Sequence, residues 1–538
     1  MKEYWSTLSL IFNLLLFAVH GSSQIPQLDW GHCYGGDLND YSYSCKIGRS
    51  GYIVAGCVFS SNGDITNPLG PADAWVMKLD TLGNIIWSYS YGGSSSDFFQ
   101  SIDTTFDGGF IAGGFTLSND HDVSGNHGIS DYWIVKLDSN GVIQWQKCYG
   151  GTDVEDIKDI HQTTDSGYIL AGDTYSIDGD VIGQHSCAGC DPDVWVLKLD
   201  KLGDIQWQRC LGSGFYEDCG QITETYDHSF VVCSNASVPG GDVAGLIGGS
   251  DFWVVKLDST GSITWARCYG GSSDETPSAL TNLSDSTLLI TGETNSNNIQ
   301  VSGNHGANDV WSIKLDYAGN LIWQKCYGGS TYDWAVSVSE TPNHELVYLS
   351  NTGSFDGNVS GAHGYTDFWV FHTDSLGNFL GGNCFGGSDE DLPHSICVIN
   401  NESYLTTGET VSFDGQVTGH HAEIGDCTGF DCRDIWTAKI SFVGTNSISE
   451  TPSKNEIQIS PNPTKDILRI TTNKFPESVN VYSITGNYLK QFDLKAMNES
   501  INISNFSSGI YFLKTENGTV YKIVKYFGQN KNDFADLS

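Results

Sequence analysis

Short runs of alternating hydrophobic and polar residues fill most of the chain and recur in a fixed order. Residues 92–149 show one such unit. Ser101–Thr105 alternates and predicts a first strand, and Phe110–Gly114 predicts a second strand after a glycine-rich turn. Asp131–Leu137 and Val142–Tyr149 predict a third and a fourth strand, joined by a polar turn. The pattern therefore predicts a unit of four short antiparallel strands.

The tripeptide Asp-x-Trp marks the third strand of each unit and occurs seven times. Its tryptophans are separated by 58, 62, 58, 58, 58 and 67 positions. The copies are Asp73/Trp75, Asp131/Trp133, Asp193/Trp195, Asp251/Trp253, Asp309/Trp311, Asp367/Trp369 and Asp434/Trp436. This period indicates one supersecondary unit repeated seven times, as in a β-propeller. Of the 15 tryptophans, 13 occupy two repeat positions, which favours core between neighbouring blades over the alternative of sugar-stacking platforms.

The two ends of the repeat region each carry an incomplete unit. The seventh third strand, Asp434–Ile440, has no fourth strand after it, and Leu28–Tyr34 matches a lone fourth strand at the start. Pairing the two fragments would complete the last blade and remove exposed sheet edges. The predicted fold class is all-β: a seven-bladed β-propeller closed by an N-terminal strand, followed by a small C-terminal β-sandwich.

The order of motifs within each unit resembles that of a known family. Units carry GG-x-x-x-D, then D-G-x-I-x-x-x-G, D-x-x-V-x-K-L-D-x-x-G and W-x-x-x-x-G-G, or close variants of these. In this order residues 28–446 resemble the seven-bladed β-propeller repeat family. The resemblance implies a fold and says little about function.

The C-terminal segment has a different composition and a different pattern. Residues 447–456 are predicted as a linker, and alternating apolar runs between Gly, Asn and Pro predict a β-sandwich over residues 457–538. The segment resembles the type A C-terminal sorting domain of the type IX secretion system of Bacteroidetes-type bacteria. The matching runs are Ser460–Pro463, Val479–Gly486, Ser508–Lys514 and Lys522–Lys525, whereas the tail Gly528–Ser538 departs from the family. The resemblance implies the secretion machinery as a partner; an ordinary accessory sandwich is the alternative.

The N-terminal segment and the charge predict an exported protein. Residues 1–23 read as a secretory signal peptide, with Lys2, an apolar run and small residues before a cut at Gln24. We expect no transmembrane segment in the mature chain, and a secreted or cell-surface location. Residues 24–446, the predicted propeller domain, carry 15 Lys and Arg against 54 Asp and Glu, which argues against nucleic acid as a partner.

Ten of the 15 cysteines fall into two classes by position. Six precede Tyr-Gly-Gly or its variant and are predicted as separate buried thiols, because equivalent positions on different repeats should lie too far apart to pair. They are Cys33, Cys148, Cys210, Cys268, Cys326 and Cys384. Two local pairs within insertions, Cys187/Cys190 and Cys427/Cys432, are candidate disulfides; a redox motif or half of a zinc site is the alternative.

One acidic residue recurs six positions after the Tyr of each Tyr-Gly-Gly or its variant. The set is Asp40, Asp97, Glu155, Glu217, Glu275, Asp333 and Asp391. One interpretation is a carboxylate ring that binds calcium or a basic ligand, because ionised carboxylates held together repel or require a cation. The favoured alternative is that each carboxylate accepts backbone N–H bonds and fixes its own loop. A repeated histidine is likewise interpreted as a packing group in preference to a ligand. The copies are His127, His185, His305, His363 and His420.

No catalytic motif stands out, and no residue is assigned as catalytic. The leading hypothesis is a secreted or cell-surface binding or structural module with a glycan or protein ligand. The alternative is a secreted polysaccharide-acting hydrolase or lyase with its site at the propeller axis. An enzyme predicts polar groups that break the repeat symmetry and converge at the axis; His161 and Trp334 are among the few such departures.

Overall fold

The computed structural model describes residues 25–185, 191–421, 432–443, 457–460, 464, 466–472, 478–483, 488–494, 496, 498–507, 509–515 and 520–525. The chain divides into two compact units, Met1–Gly444 and Thr445–Ser538. All secondary-structure elements named below lie in the described part of the chain, and all of them are β-strands. Within that part, no helix is long and apolar enough to cross a membrane.

The described residues of the first unit form 28 strands. In chain order they are β1 (Ile25–Tyr34), β2 (Asp40–Ile47), β3 (Tyr52–Val58), β4 (Asp73–Leu79), β5 (Ile85–Tyr91), β6 (Asp97–Thr104), β7 (Phe110–Thr116), β8 (Asp131–Leu137), β9 (Ile143–Tyr149), β10 (Glu155–Gln162), β11 (Tyr168–Thr174), β12 (Asp193–Leu199), β13 (Ile205–Leu211), β14 (Cys219–Glu224), β15 (Phe230–Ala236), β16 (Asp251–Leu257), β17 (Ile263–Tyr269), β18 (Glu275–Asn282), β19 (Thr287–Thr294), β20 (Asp309–Asp316), β21 (Leu321–Tyr327), β22 (Asp333–Glu340), β23 (Leu346–Thr352), β24 (Asp367–Thr373), β25 (Phe379–Phe385), β26 (Asp391–Asn400), β27 (Ser403–Thr410) and β28 (Asp434–Val443).

These strands form seven four-stranded antiparallel sheets, which we number 1 to 7. Sheets 1 to 6 are four consecutive strands each, from β2–β5 to β22–β25. Sheet 7 has the order β1-β28-β27-β26, so the most N-terminal strand lies beside the last one. The register of β1 against β28 runs from Ile25 opposite Val443 to Tyr34 opposite Ile435. The predicted repeat of four-stranded units in an all-β, propeller-like fold is confirmed.

The first strand of each repeat begins earlier than the alternation of residues predicts. The second repeat starts at Asp97 and not at Ser101, because a bulge between Phe99 and Ser101 shifts the register and hides the alternation before it. The same bulge occurs in the other first strands. A bulge frees a backbone N–H, and this donor needs another acceptor.

The bulges are tied together across the sheets by a repeated hydrogen bond. A polar side chain at the bulge accepts the N–H of the following first strand: Ser44 from Ile102, Ser101 from Ile160, Asp159 from Ile222, Gln221 from Leu280, Ser337 from Ile396 and Ser395 from Cys45. The N–H···O distances lie between 2.8 and 3.4 Å. Sheet 5 has Ala279 at this position and no such acceptor. The last of these bonds joins sheet 7 to sheet 1.

The Asp-x-Trp tryptophans pack between sheets. All seven are buried. Trp133 of sheet 2 stacks on Phe99 at 5.1 Å between ring centroids, within a cluster that includes Ala55 and Val76 of sheet 1. Each of the seven shares a buried cluster with residues of the preceding sheet, so one ring of this size contributes apolar burial between each pair of neighbouring sheets. This is the core interpretation predicted for the repeated tryptophans.

The second unit contains seven strands in two sheets. They are β29 (Ile457–Ser460), β30 (Ile467–Thr472), β31 (Ser478–Ser483), β32 (Tyr488–Asp493), β33 (Asn498–Asn502), β34 (Gly509–Thr515) and β35 (Val520–Lys525). The orders are β29-β30-β33 and β32-β31-β34-β35. Leu468 and Ile470 from one sheet share a core with Val479, Val481 and Leu513 from the other, as expected for a sandwich.

Candidate functional site

The first strands of the seven sheets surround a cavity of about 440 Å³. Each first strand contacts the first strand of the next sheet, and β26 contacts β2. The cavity receives side chains from all seven, among them Tyr43, Gln100, Lys158, Gln221, Thr281, Ser337 and His394. We call this space the axial cavity. Its volume is in the range of sites for small ligands.

Side chains around the axial cavity differ from repeat to repeat, unlike those of the core. The position six residues after the repeated acid shows this most clearly. It is occupied by Lys46, His161, Thr223, Thr281 and Ser339, which line the cavity, and by Asp103 and Cys397, which do not. A residue type needed for folding recurs in every copy, so a position that varies in charge is free to serve binding or chemistry.

His161 lies between two carboxylates at the wall of the axial cavity. Its Nδ1 is 3.2 Å from Oδ2 of Asp103, and its Nε2 is 3.0 Å from Oδ2 of Asp159. Burial alone would lower the pKa of His161, but the charge of Asp159 and the hydrogen bonds to both carboxylates raise it to about 9. At neutral pH the imidazole is therefore a cation that joins sheet 2 to sheet 3.

Asp159 also connects this group to two further backbone and side-chain donors. It accepts a hydrogen bond from the Ser101 hydroxyl at 3.0 Å and from the backbone N–H of Ile222 at 3.2 Å. Burial would raise its pKa, but His161 and Lys46 hold the pKa of the carboxyl below its usual range. The pKa of Asp103 is lowered in the same way by His161 and Lys46, against the effect of burial. Both carboxylates are ionised at neutral pH.

Lys46 is the second cation of this group and is directed to the same cavity. Burial would lower the pKa of its ammonium, but the charges of Asp103 and Asp159 raise it. Within the described part of the chain, its Nζ has no hydrogen bond and no ion pair within 4 Å. A lysine ammonium has three N–H donors, so Lys46 can donate them to a bound molecule.

Lys158 is surrounded by a separate cluster of acidic residues near the group formed by His161 and Lys46. Its Nζ lies 2.9 Å from Asp156, 3.5 Å from Asp173 and 3.9 Å from Asp218. Burial and the charge of Asp218 raise the pKa of Asp173 well above its usual value, although Lys158 opposes this. One lysine thus faces three acids, and burial raises the pKa of two of them, Asp173 and Asp156.

The seven repeated acids of the sequence do not line the axial cavity. All seven are fully buried at or just before the start of the first strands. Each accepts the backbone N–H of the residue four positions earlier: Gly36 to Asp40, Gly93 to Asp97, Gly151 to Glu155, Ser213 to Glu217, Gly271 to Glu275, Gly329 to Asp333 and Gly387 to Asp391. Hydroxyl groups of Ser or Thr occupy further acceptor sites, as for Asp333 with Ser354 at 2.8 Å. These bonds favour the loop-fixing interpretation.

In sheets 2 to 6 the acid of Asp-x-Trp lies against the same loop. A Cβ atom on Gly150 would lie 2.4 Å from Oε2 of Glu155 and 2.8 Å from Oδ1 of Asp131, so only glycine fits between these two carboxylates. Burial raises the pKa of both. The corresponding acids reach a pKa of about 7 in Glu217 and Asp391, again mainly through burial. In the described residues no group of three or more His, Cys, Asp or Glu is arranged to hold a metal ion, and the calcium site stays a prediction.

The repeated histidines contact the carboxyl groups of the Asp-x-Trp acids. Nδ1 of His127, His185 and His305 lies 2.6 Å from the Asp of the same repeat. In the seventh repeat His421 makes this contact at 2.7 Å, and not His420, which packs on Phe413. The sequence assignment of His420 was wrong by one residue, because the contacting histidine lies seven positions after the loop Asp, here Asp414.

The cysteines that precede the Tyr-Gly-Gly motifs remain separate thiols, as predicted. Of the two candidate disulfides, Cys187, Cys190 and Cys427 lie outside the described residues, and Cys432 is buried. Both pairings stay predictions. Sequence reasoning missed a third pair, Cys45 and Cys397, whose sulfur atoms lie in contact across sheets 1 and 7. Nothing in the repeat pattern brings these two positions together before the sheet order is known.

Comparisons with known proteins bear on the two units differently. Among solved structures, PorZ of Porphyromonas gingivalis, described as an essential bacterial surface component of the type-IX secretion system, aligns at 11% identity and a TM-score of 0.40 over 90% of this chain. The chain spans 59% of that structure. The Pan2 WD40 domain of Neurospora crassa aligns at 10% identity and a TM-score of 0.42, over 79% of this chain and 97% of that one.

A third structure, Sqt1 from Chaetomium thermophilum, aligns at 15% identity and a TM-score of 0.39, over 71% of this chain and 97% of that one. Curated proteins give no significant match. Residues 458–527 match the family described as secretion system C-terminal sorting domain. This domain indicates export as a secreted or cell-surface protein. The second unit is thus a type IX sorting domain, carried by a chain whose first unit is all-β and propeller-like.

Proposed function

We propose that this chain is a cargo of the type IX secretion route and that its first unit is a seven-bladed propeller acting as a glycan-binding module. The sorting domain supports the route. The pairing of β1 with β28 and the bond from Cys45 to Ser395 support a ring in which the N-terminal strand completes the last blade. Ring closure would leave the inner strands as a rigid wall around a site, which keeps a binding geometry fixed.

The axial cavity is the proposed binding site. This site is supported by one observation: side chains that differ from repeat to repeat line the same cavity, above all Lys46 and His161. Lys46 and His161 occupy one position of sheets 1 and 3, with Asp103 at that position of sheet 2 between them, and none of the three residue types recurs there in another repeat. Their presence together with Asp159 is explained by recognition of a polar molecule.

The proposed ligand is a short glycan or the end of a glycan chain. The wall offers amide groups from Gln100 and Gln221, hydroxyls such as that of Thr281, and the edge-to-face rings of Tyr43 and His394 at 5.3 Å. Hydroxyl groups of a sugar match such mixed donors and acceptors. Lys46, which has no direct partner among the described residues, would pair with the carboxylate of an acidic sugar by a charge-assisted hydrogen bond.

Binding of the full-length mature protein to an array of neutral and acidic glycans tests this proposal. For a glycan that binds, we expect Lys46→Met to weaken affinity at least about tenfold, which corresponds to about 1.4 kcal/mol. Lys147→Met is the matched control, because Lys147 is a partly exposed lysine paired with Asp204 on a fourth strand. Equal affinity of wild type and Lys46→Met, or no glycan bound, would contradict the proposal.

A hydrolase or lyase acting on polysaccharides at the axis is a second candidate. It is favoured by the cluster around Lys158, where Asp173 tends to stay protonated beside Asp156 and Asp218. Cleavage of a glycosidic bond uses one protonated and one ionised carboxyl group. Mass spectrometry of array glycans after incubation distinguishes the candidates: products that disappear with Asp173→Asn support an enzyme, and binding without products discards it.

A further inference from the structure

Two cysteines far apart in sequence meet between the first and the last sheet. Sγ of Cys45 in β2 lies 2.8 Å from Sγ of Cys397 in β26. Unbonded sulfur atoms do not ordinarily approach so closely, whereas a disulfide holds them at about 2.05 Å. Cys397 Sγ is also 2.7 Å from the carbonyl oxygen of Cys45. The two residues are separated by 352 positions of sequence.

This contact singles out one pair among the thiols of the first unit. Eleven cysteines of the described residues are unbonded, and only these two place their sulfur atoms within hydrogen-bonding distance of each other. Their exposures are 1% and 7%, so they face each other in the interior and not in solvent. The backbone is already fixed around them, because the N–H of Cys45 donates to Ser395 on the same neighbouring strand at 3.3 Å.

We propose that Cys45 and Cys397 form a disulfide that joins sheet 1 covalently to sheet 7. The reaction is a thiol–disulfide exchange. Each thiol loses its proton, a bond forms between the two sulfur atoms, and the two electrons reduce the disulfide of an exported dithiol oxidant to two thiols. Export, which the sorting domain indicates, takes the chain into a compartment where such oxidants act. Burial would raise the pKa of the Cys45 thiol, but hydrogen bonds with Cys397 and Ser395 and the charge of Lys46 lower it, which favours the thiolate that starts the exchange.

The chain joins sheet 7 to sheet 1 only through β1 and residues 35–39, and the disulfide would add a second covalent link, between the inner strands β26 and β2. The pairing of β1 with β28 joins the two ends within sheet 7 by hydrogen bonds alone. A disulfide that closes a loop of this length constrains the unfolded chain more than a short-loop disulfide does. The inference is independent of the ligand of the axial cavity.

Peptide mapping of the exported protein tests the proposal directly. The protein is denatured with an alkylating reagent present, digested without reduction and analysed by mass spectrometry. We expect a linked peptide pair containing Cys45 and Cys397. Alkylated, unlinked peptides for both residues would overturn the proposal, as would a linkage of either residue to another cysteine.

Thermal unfolding provides a second measurement on the same molecule. We expect reductant to lower the Tm of the wild type by about 5 °C, given the long loop that is closed. Cys397→Ser should show a lower Tm without reductant and a smaller further change with it than the wild type, because only the two candidate local disulfides, Cys187/Cys190 and Cys427/Cys432, would remain to be reduced. Cys210→Ser, which removes a buried lone thiol, should keep the full response to reductant. A wild-type Tm that is unchanged by full reduction would overturn the proposal even if Cys397→Ser does not fold.

Discussion

The imidazole Nε2 of His161 lies 3.0 Å from Oδ2 of Asp159, and the opposite ring nitrogen faces Asp103. A ring held between two carboxylates is stabilised in its protonated form. The same carboxylate of Asp159 accepts the free N–H of the bulge in the following strand. A group at the axial cavity is thereby connected to the hydrogen bonds that hold neighbouring sheets together, so its protonation state affects the stability of the fold.

We predict that the first unit loses stability as the pH rises through about 9, partly through His161. Its pKa of about 9 in the folded protein exceeds the usual value of about 6.5. The contribution is therefore complete below pH 6.5 or so and is lost as the pH rises through the folded pKa. Between pH 6.5 and 9.5 or so, the free energy of unfolding of His161→Gln should fall by about 2 kcal/mol less than that of the wild type, as measured by denaturant unfolding.

His228→Gln is the control for this series, because His228 is an exposed histidine on a turn. It should leave the pH dependence unchanged. His421, with a pKa raised to about 10 by Asp434 and Asp64, adds a loss in the same direction and remains in both variants. Identical pH profiles for the wild type and His161→Gln would show that His161 is not held as a cation.

A second pH effect is expected from the buried acids of the repeats. Burial raises the pKa of Asp391 to about 7, against hydrogen bonds from Thr410, Gly387 and Ser412 that lower it. An acid with a raised folded pKa stabilises the protein fully below its unfolded pKa of about 4, and this contribution is lost as the pH rises to about 7. Asp391→Asn should flatten the change in Tm between pH 4.5 and 7.5. The exposed Asp80→Asn is the control.

Deletion of the N-terminal strand should destabilise sheet 7. Residues 25–34 form β1, whose loss would expose the backbone edge of β28 and uncover Trp436, which packs on Gly31. A chain starting at residue 35 should melt at least about 5 °C below one starting at residue 25 and aggregate more, since the edge is open to pairing. Coincident melting curves would contradict the proposal that β1 closes the ring.

The sequence predicts the repeat well because its signals are local. The Asp-x-Trp spacing and the turn signals place β7, β8 and the other middle strands within a residue or two. The beginning of the first strands was missed, because the bulge before Ser101 interrupts the alternation. The axial cavity was not predictable residue by residue: Lys46, Asp103 and His161 are 57 or more positions apart, and only the ring of first strands brings them together.

Calcium is expected to leave the first unit unchanged. Each repeated carboxylate is enclosed and accepts backbone and hydroxyl donors, as Asp40 does from Gly36 and Ser60. A cation would have to displace these bonds, since calcium requires six to eight oxygen ligands. We therefore expect the same Tm in a chelator and in about 5 mM calcium, a concentration that is roughly enough to occupy weak extracellular sites. A rise in Tm with calcium that Asp333→Asn abolishes would restore the cation interpretation.

Removal of the sorting domain should stop export at the outer membrane without affecting the first unit. The chain divides at Gly444, and the core of the second unit, with Leu468 and Val481, is its own. A chain ending at residue 456 should keep the thermal transition of the propeller unit and accumulate in the periplasm, measured by cell fractionation and surface proteolysis. The control variant Lys525→Met removes an ammonium that donates to the carbonyls of Ile503 and Phe506. It should destabilise only the second unit and reduce export in proportion, whereas normal surface display of the truncated chain would show that another segment directs it there.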